Sequence, residues 1–163
     1  MHRLFRHLLF FPWHLRQHFP LSVLNAIEQE ITASELRHGG QIRFAVEANF
    51  DLTQLLRGLT SPARAQALFA QLRVWDTEQN NGVLLYLLLA EHRVEIVADR
   101  GINAKVAPAQ WQDICQHMQL ALRQGDYAAA VGAGIRDIDA LLAAHYPGSG
   151  VGGNELPNQP VVL

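Results

Sequence analysis

A chain of 163 residues with 49% hydrophobic and 17% charged residues has the material for one core and excludes a mostly disordered chain. A formal net charge of −2 excludes a global basic field for nucleic acid. The single cysteine, Cys115, excludes an internal disulfide and a cysteine-based zinc centre, and gives no sign of an oxidising compartment.

Residues 1–19 form a basic N-terminal arm. They carry Arg3, Arg6, Arg16 and four of the eight histidines, with no acid. Leu4, Leu8 and Phe11 fall at helical spacing. Two readings stand side by side. The arm's positive face suits anionic lipid, which would make the chain peripheral at the inner face of a membrane. Alternatively the arm is a short helix folded onto the domain, its Phe and Trp residues covering core. Its apolar run, Leu8 to Phe11, is too short for a signal peptide. The longest run, Gly82 to Ala90, is far short of the roughly 20 residues that span a bilayer. The expected location is cytoplasmic, with no transmembrane segment.

An α/β domain is expected over 20–147. Pro20 opens a helix with Leu21, Leu24, Ile27 and Ile31 as its apolar stripe, and Gly39-Gly40 is expected to end it. Gln41 to Ala48 alternates, with Ile42, Phe44 and Val46 on one face and Arg43 and Glu47 on the other, the pattern of a half-buried strand. Asn49 to Thr60 carries no clear period. Ser61-Pro62 starts a helix, and a polar turn runs from Asp76 to Gly82. The apolar run after it predicts a central strand buried on both faces. Glu91-His92 makes a tight connection to a return strand over Arg93 to Asp99. A helix from Pro108 buries Trp111, Ile114, Cys115 and Met118. Gly125-Asp126 separates it from a last helix with Ile135, Ile138 and Leu142. Residues 148–163 are rich in Gly and Pro and read as an extended, mobile tail.

The fold class is therefore α/β: a small mixed β-sheet flanked by helices, an α/β/α sandwich. A helix joins the first two strands, so they run parallel with a right-handed crossover. Their starts, and the end of the return strand, then share one sheet edge. Three loops meet there. Ser34 and Glu35 come from the first, Asp76, Thr77, Asn80 and Asn81 from the second, and Asp99, Arg100, Gly101 and Asn103 from the third. Carboxylates, amides and main-chain carbonyls suit calcium or magnesium. The competing reading is that the aspartates cap helices or pair with Arg73, Arg100 or Lys105, and that the asparagines only shape turns. There is no EF-hand loop, P-loop or nucleophile elbow. His38, His92, His117 and His145 read as surface or helix-end residues. Cys115, Trp75 and Trp111 read as packing residues.

Gly40 to Glu47, Asn80 to Leu88, Val94 to Ile102, Gln124 to Ala128 and Asn154 to Pro157, in this order and spacing, resemble the TPM-domain family. The likeness covers roughly Leu21 to Leu163, and is nearest the short bacterial branch with a basic arm and no anchor. It implies an α/β/α sandwich, an acid phosphatase activity proposed for plastid members, and divalent-cation binding in bacterial ones. It also implies a LemA-type membrane protein, or another protein, as partner. Asn81 and Gly82 match the family's polar-Gly turn, and Asp99 and Gly101 its turn after the third strand. Asn80 stands where relatives often carry an acid, which removes one negative charge.

Two functions follow. The favoured one is a non-catalytic binding module, cation-binding and associated with a membrane partner. The other is a metal-assisted phosphatase acting on phosphomonoesters. In the second, Asp76, Asn81 and Asp99 are the metal ligands, Asn80 and Asn103 edge the site, and Glu35 is the catalytic general base.

Overall fold

A computed structural model describes residues 2–10, 12–148 and 153–163. Strands β1 (Gln41–Glu47), β2 (Gly82–Leu88), β3 (Arg93–Ala98) and β4 (Val161–Val162) form one sheet in the order β3-β2-β1-β4. β1 runs parallel to β2 and to β4, while β2 and β3 are antiparallel. The expected α/β sandwich is therefore present, with one more strand than the sequence suggested. The tail read as mobile ends as β4 on the edge of β1. Residues 149–152 of that tail lie outside the described residues.

Strand β2 is buried along its whole length. Its alternating side chains serve two separate cores. Val83, Leu85 and Leu87 face a larger core with Ile42, Phe44 and Val46, closed by the helices Leu21–Glu35 (α3), Pro108–Arg123 (α7) and Tyr127–His145 (α8). Leu84, Tyr86 and Leu88 face a smaller core with Ala65, Leu68 and Val74, on and after the helix Ser61–Gln71 (α5). A run apolar at every position satisfies both layers, as a central strand requires.

β1 differs from its expected half-burial, for all seven of its residues are buried. Arg43 and Glu47 point toward the smaller core's side but are covered by distant partners. Arg43 donates to the carbonyls of Pro157 and Gln159. Glu47 is gripped by Arg64 on α5 through two bonds of 2.8 and 3.0 Å. Helix α3 stops at Glu35, earlier than Gly39-Gly40 implied. Gly40 instead permits close approach, since a Cβ there would lie 2.5 Å from Leu142 Cδ2.

The stretch that lacked a period contains a short helix, Leu52–Leu56 (α4), fixed by a reciprocal Asp51–Gln54 capping box. Gly125 adopts φ +87° and Asp126 accepts from Ala129 N–H, so the turn between α7 and α8 forms as expected. The arm folds as two short helices, α1 (His2–Leu9) and α2 (Pro12–His18). Leu15 and Phe19 enter the larger core and His7 is fully buried, so the arm is packed onto the domain.

Candidate functional site

The register of the sheet brings the three loops to one rim. Gln41 lies opposite Gly82, and Val83 opposite Ala98. Main-chain bonds extend the sheet past the strands. Gln41 N–H donates to Asn81 O, Asp99 N–H to Gly82 O, and the N–H groups of Gly101 and Ile102 both donate to Asn80 O. The last two bonds need Gly101. A Cβ there would sit 2.5 Å from the carbonyl oxygens of both Gln79 and Asn80. The turn at Asn80 has φ +52°, a left-handed conformation asparagine tolerates.

Asn81 and Asp99 are both buried at this rim, as are Ser34, Glu35 and Thr77. Asn81 Nδ2 donates to Gly39 O over 2.8 Å, and Asn81 N–H donates to Thr77 Oγ1. Its Oδ1 is buried with no hydrogen-bond partner. Asp99 caps the short helix Arg100–Asn103 (α6), its Oδ1 accepting from Arg100 N–H at 2.7 Å. Its Oδ2 is likewise buried and unpartnered. Burial, then the charge of Asp99, push the Tyr146 phenol upward in pKa. Tyr146 O in turn accepts from Gly39 N–H. Lys105 Nζ sits 4.0 Å from the Tyr146 ring centroid on that flank. Asn81 thus adjoins the 38–40 turn and Asp99 adjoins Tyr146, and the two are linked through the Gly39–Tyr146 main-chain bond.

The other expected residues are placed differently. Asn80 Oδ1 accepts from Arg100 Nε at 3.0 Å, so Arg100 pairs with the turn and not with an aspartate. Asp76 and Asn103 are exposed. Glu35 is buried on the tail side of the rim, with Oε1 accepting from Ile42 N–H at 2.9 Å. Burial raises its carboxyl to about 7 against the pull of the Ile42 N–H, the Asn158 side chain and the Arg43 charge. It lines a small cleft of about 150 Å³ with Thr32, Gln41, Asn154 and Asn158, a cleft that includes neither Asn81 nor Asp99. Among the described residues, no group of three or more His, Cys, Asp or Glu is placed to hold a metal.

Three polar constellations escape sequence reasoning. His38, expected at the surface or a helix end, lies past the end of α3 and is fully buried. Its Nδ1 accepts from Gly40 N–H, which leaves Nε2 to carry the proton toward Asp139 Oδ1, 3.1 Å away. Burial foremost lowers its pKa, against the charge of Asp139. At the opposite rim, Tyr86 Oη donates to Glu47 Oε2 at 2.7 Å and completes the Arg64–Glu47 pair. Under the arm, Glu91 Oε1 takes Arg3 at 2.6 Å and His7 at 2.7 Å. Burial opposes ionisation of Glu91, but those two bonds outweigh it and lower its pKa. The pairings join residues far apart in sequence, and no local pattern announces them. Trp111 is buried as expected, whereas Trp75 is 48% exposed. Cys115 packs against the larger core, where burial raises its thiol to about 11.

A mixed sheet between helical layers, with a polar rim at the strand starts, defines a small α/β sandwich domain. The TPM domain model matches residues 19–141, and the chain belongs to that family. The BA42 protein from the psychrophilic bacterium Bizionia argentinensis is 27% identical, with a TM-score of 0.72 over 87% of this chain and 93% of its own. The N-terminal domain of a P. gingivalis protein, 17% identical, shares the fold at a TM-score of 0.63 over 80% of this chain and 82% of its own. The N-terminal domain of a Corynebacterium glutamicum protein does so at 0.51, with 16% identity over 78% and 74%. Among proteins of curated function none matches the chain. No described helix is long and apolar enough to cross a membrane.

Proposed function

We propose that this chain is a non-catalytic TPM-domain binding module whose strand-start rim takes a divalent cation, calcium or magnesium. The observation that carries the reading is the pair of buried oxygens, Asn81 Oδ1 and Asp99 Oδ2, left without partners at one rim. A buried acceptor without a donor costs about 1–3 kcal/mol, more when charged, and a hard cation would relieve both. Only one of the two is a carboxylate, so the remaining ligands would be water and main-chain oxygen. A set of such low charge fits binding in the range of about 10⁻⁴–10⁻³ M. Asp76, Asn80 and Asn103 would edge the site without filling it. The rim would then be the docking surface for a membrane-associated protein of the LemA type, holding the chain at the cytoplasmic face.

The test is a titration of calcium or magnesium followed by backbone amide shifts. Shifts are expected to concentrate at Asn80 to Gly82 and Asp99 to Asn103, and to vanish in Asp99→Asn. Unmoved resonances up to about 10 mM of either ion, beyond the weakest range above, end the proposal.

The second reading, a metal-assisted phosphatase, draws on one observation: the Glu35 carboxyl near 7 suits proton transfer at neutral pH. Against it, Glu35 lines a different cleft from Asn81 and Asp99. Hydrolysis of p-nitrophenyl phosphate that is sensitive to chelator and lost in Glu35→Gln would reverse the preference.

A further inference from the structure

The arm packs inward through Leu15, Phe19 and a buried polar contact: His7 lies on Glu91 and on Phe50, whose N–H donates to His7 Nδ1 at 2.9 Å. Its outward side carries an apolar cluster beside the exposed Arg6 and Arg16. Phe5, Leu8 and Leu9, spaced i, i+3 and i+4 on one helical face, are 56, 52 and 67% exposed, and Trp13 on α2 is 59% exposed. Single exposed apolar residues are ordinary, but four within nine positions, three of them on one face, form a patch. Helix α4, bonded to α1 through the Asn49 and Phe50 that precede it, adds the exposed leucines Leu52 and Leu56.

Beside this patch lies a cleft of about 570 Å³ between the arm and the turn after β2, lined in part by Arg6, His14, His92 and Arg123. His92 feels this convergence: burial first, then the charges of Arg6, Arg123 and His18, depress its pKa. The acid in the cleft, Glu91, is already taken by Arg3 and His7. The acid nearest α4, Asp51, caps that helix.

We infer that the outward face of the arm docks on an anionic bilayer, with Phe5, Leu8, Leu9 and Trp13 entering the headgroup–acyl boundary and the Arg6–His14–Arg123 cleft receiving a lipid phosphate. Charge decides the occupant. Residues 1–19 hold no acid, so a two-fold contact between copies would set Arg6 and Arg16 against their own kind, with no carboxylate on the arm to answer them. An anionic membrane supplies both the apolar phase and the missing negative charge. The face is held in place by His7, Leu15 and Phe19, so no ordering of the arm opposes docking. This surface is separate from the cation rim, and its test is independent of that reading.

The experiment is flotation of the full chain with vesicles of phosphatidylcholine alone and of phosphatidylcholine mixed with phosphatidylglycerol. Binding is expected to the anionic vesicles only, weakening as salt rises. It should fall at least about tenfold in Leu8→Ser/Leu9→Ser, whose side chains lie outside the core. It should fall similarly in Arg6→Glu. Amide spectra confirm that both variants stay folded, and inorganic phosphate alone should not shift the His92 resonances. Equal binding to neutral and anionic vesicles, no binding to either, or binding retained in both variants overturns the inference. So does a concentration-dependent dimer abolished by Leu8→Ser/Leu9→Ser, which would make a second copy the occupant, and so does saturable binding of free phosphate.

Discussion

Glu47 and Asp99 are both buried carboxylates at strand ends of one sheet, on opposite rims. Glu47 accepts two bonds from Arg64 and one from Tyr86, so its oxygens are fully engaged. Asp99 uses one oxygen to cap α6 and leaves the other without a donor. Asn81 beside it repeats the pattern. Where every acceptor has its donor the polar group serves the fold. Where acceptors are left over, the fold carries a cost it does not itself recover, and the proposed cation would relieve it.

The largest effect that would sharpen this contrast is at the satisfied rim. Glu47→Ala strands the Arg64 guanidinium and the Tyr86 hydroxyl in the smaller core. The expected loss is about 3 kcal/mol, at the lower bound for breaking a buried pair because Arg64 keeps some solvent. Urea denaturation measures it, and an unchanged midpoint would mean the three groups are not coupled. Gly101→Ala comes next. Its Cβ must displace the Gln79 and Asn80 carbonyls, which is expected to cost about 1–3 kcal/mol and to shift the amide signals of Asn81 and Asp99. A silent spectrum there would break the link between the turn and the rim.

Glu35→Gln has an expected effect no larger than that of Gly101→Ala, confined to one pH window, and a definite sign. The folded carboxyl holds its proton up to about 7, against 4.5 ordinarily. The folded state therefore binds more protons between those values, and this contribution to stability declines as pH rises through the window. The variant should match the parent near pH 4 and exceed it by about 1–3 kcal/mol at pH 8. Melting curves at the two pH values check this. A variant less stable at pH 8 would show that Glu35 is held ionised, as a partner of Arg43.

Local pattern carried the layered fold a long way. Val83 to Ala90 predicts a strand buried on both faces without help from any other segment, which holds to Leu88 before Leu89–Glu91 turn as a 3-10 helix, and the directions of β1, β2 and β3 then dictate which loops share a rim. What stayed hidden depends on distant partners. Arg43 and Glu47 alternate like solvent-facing residues, and the carbonyls of Pro157 and Gln159 for the one, and the Arg64 and Tyr86 side chains for the other, make their burial tolerable. His38 is inside because Asp139 comes to meet it. Strand β4 has two residues, too few to show a period. The rim's residues were legible as a group, but not that Glu35 turns toward Asn158 while Asn81 turns toward Gly39 and Asp99 toward Tyr146.

The edge of β1 is closed in an uncommon way. Ladder pairing with β4 covers Ala45 and Val46, and main-chain bonds with Leu163 carry it as far as Ala48. Farther along, side chains do the closing: Gln41 Oε1 accepts from the N–H groups of Glu155 and Leu156, and Arg43 reaches the carbonyls beyond. Such a latch opens one contact at a time, without the cooperativity of a continuous ladder. Amide protons in 153–163 should then exchange with deuterium well before those of β2. Each brief opening bares a row of unpaired peptide groups able to accept a foreign strand, so the latch governs the chain's tendency to associate edge to edge.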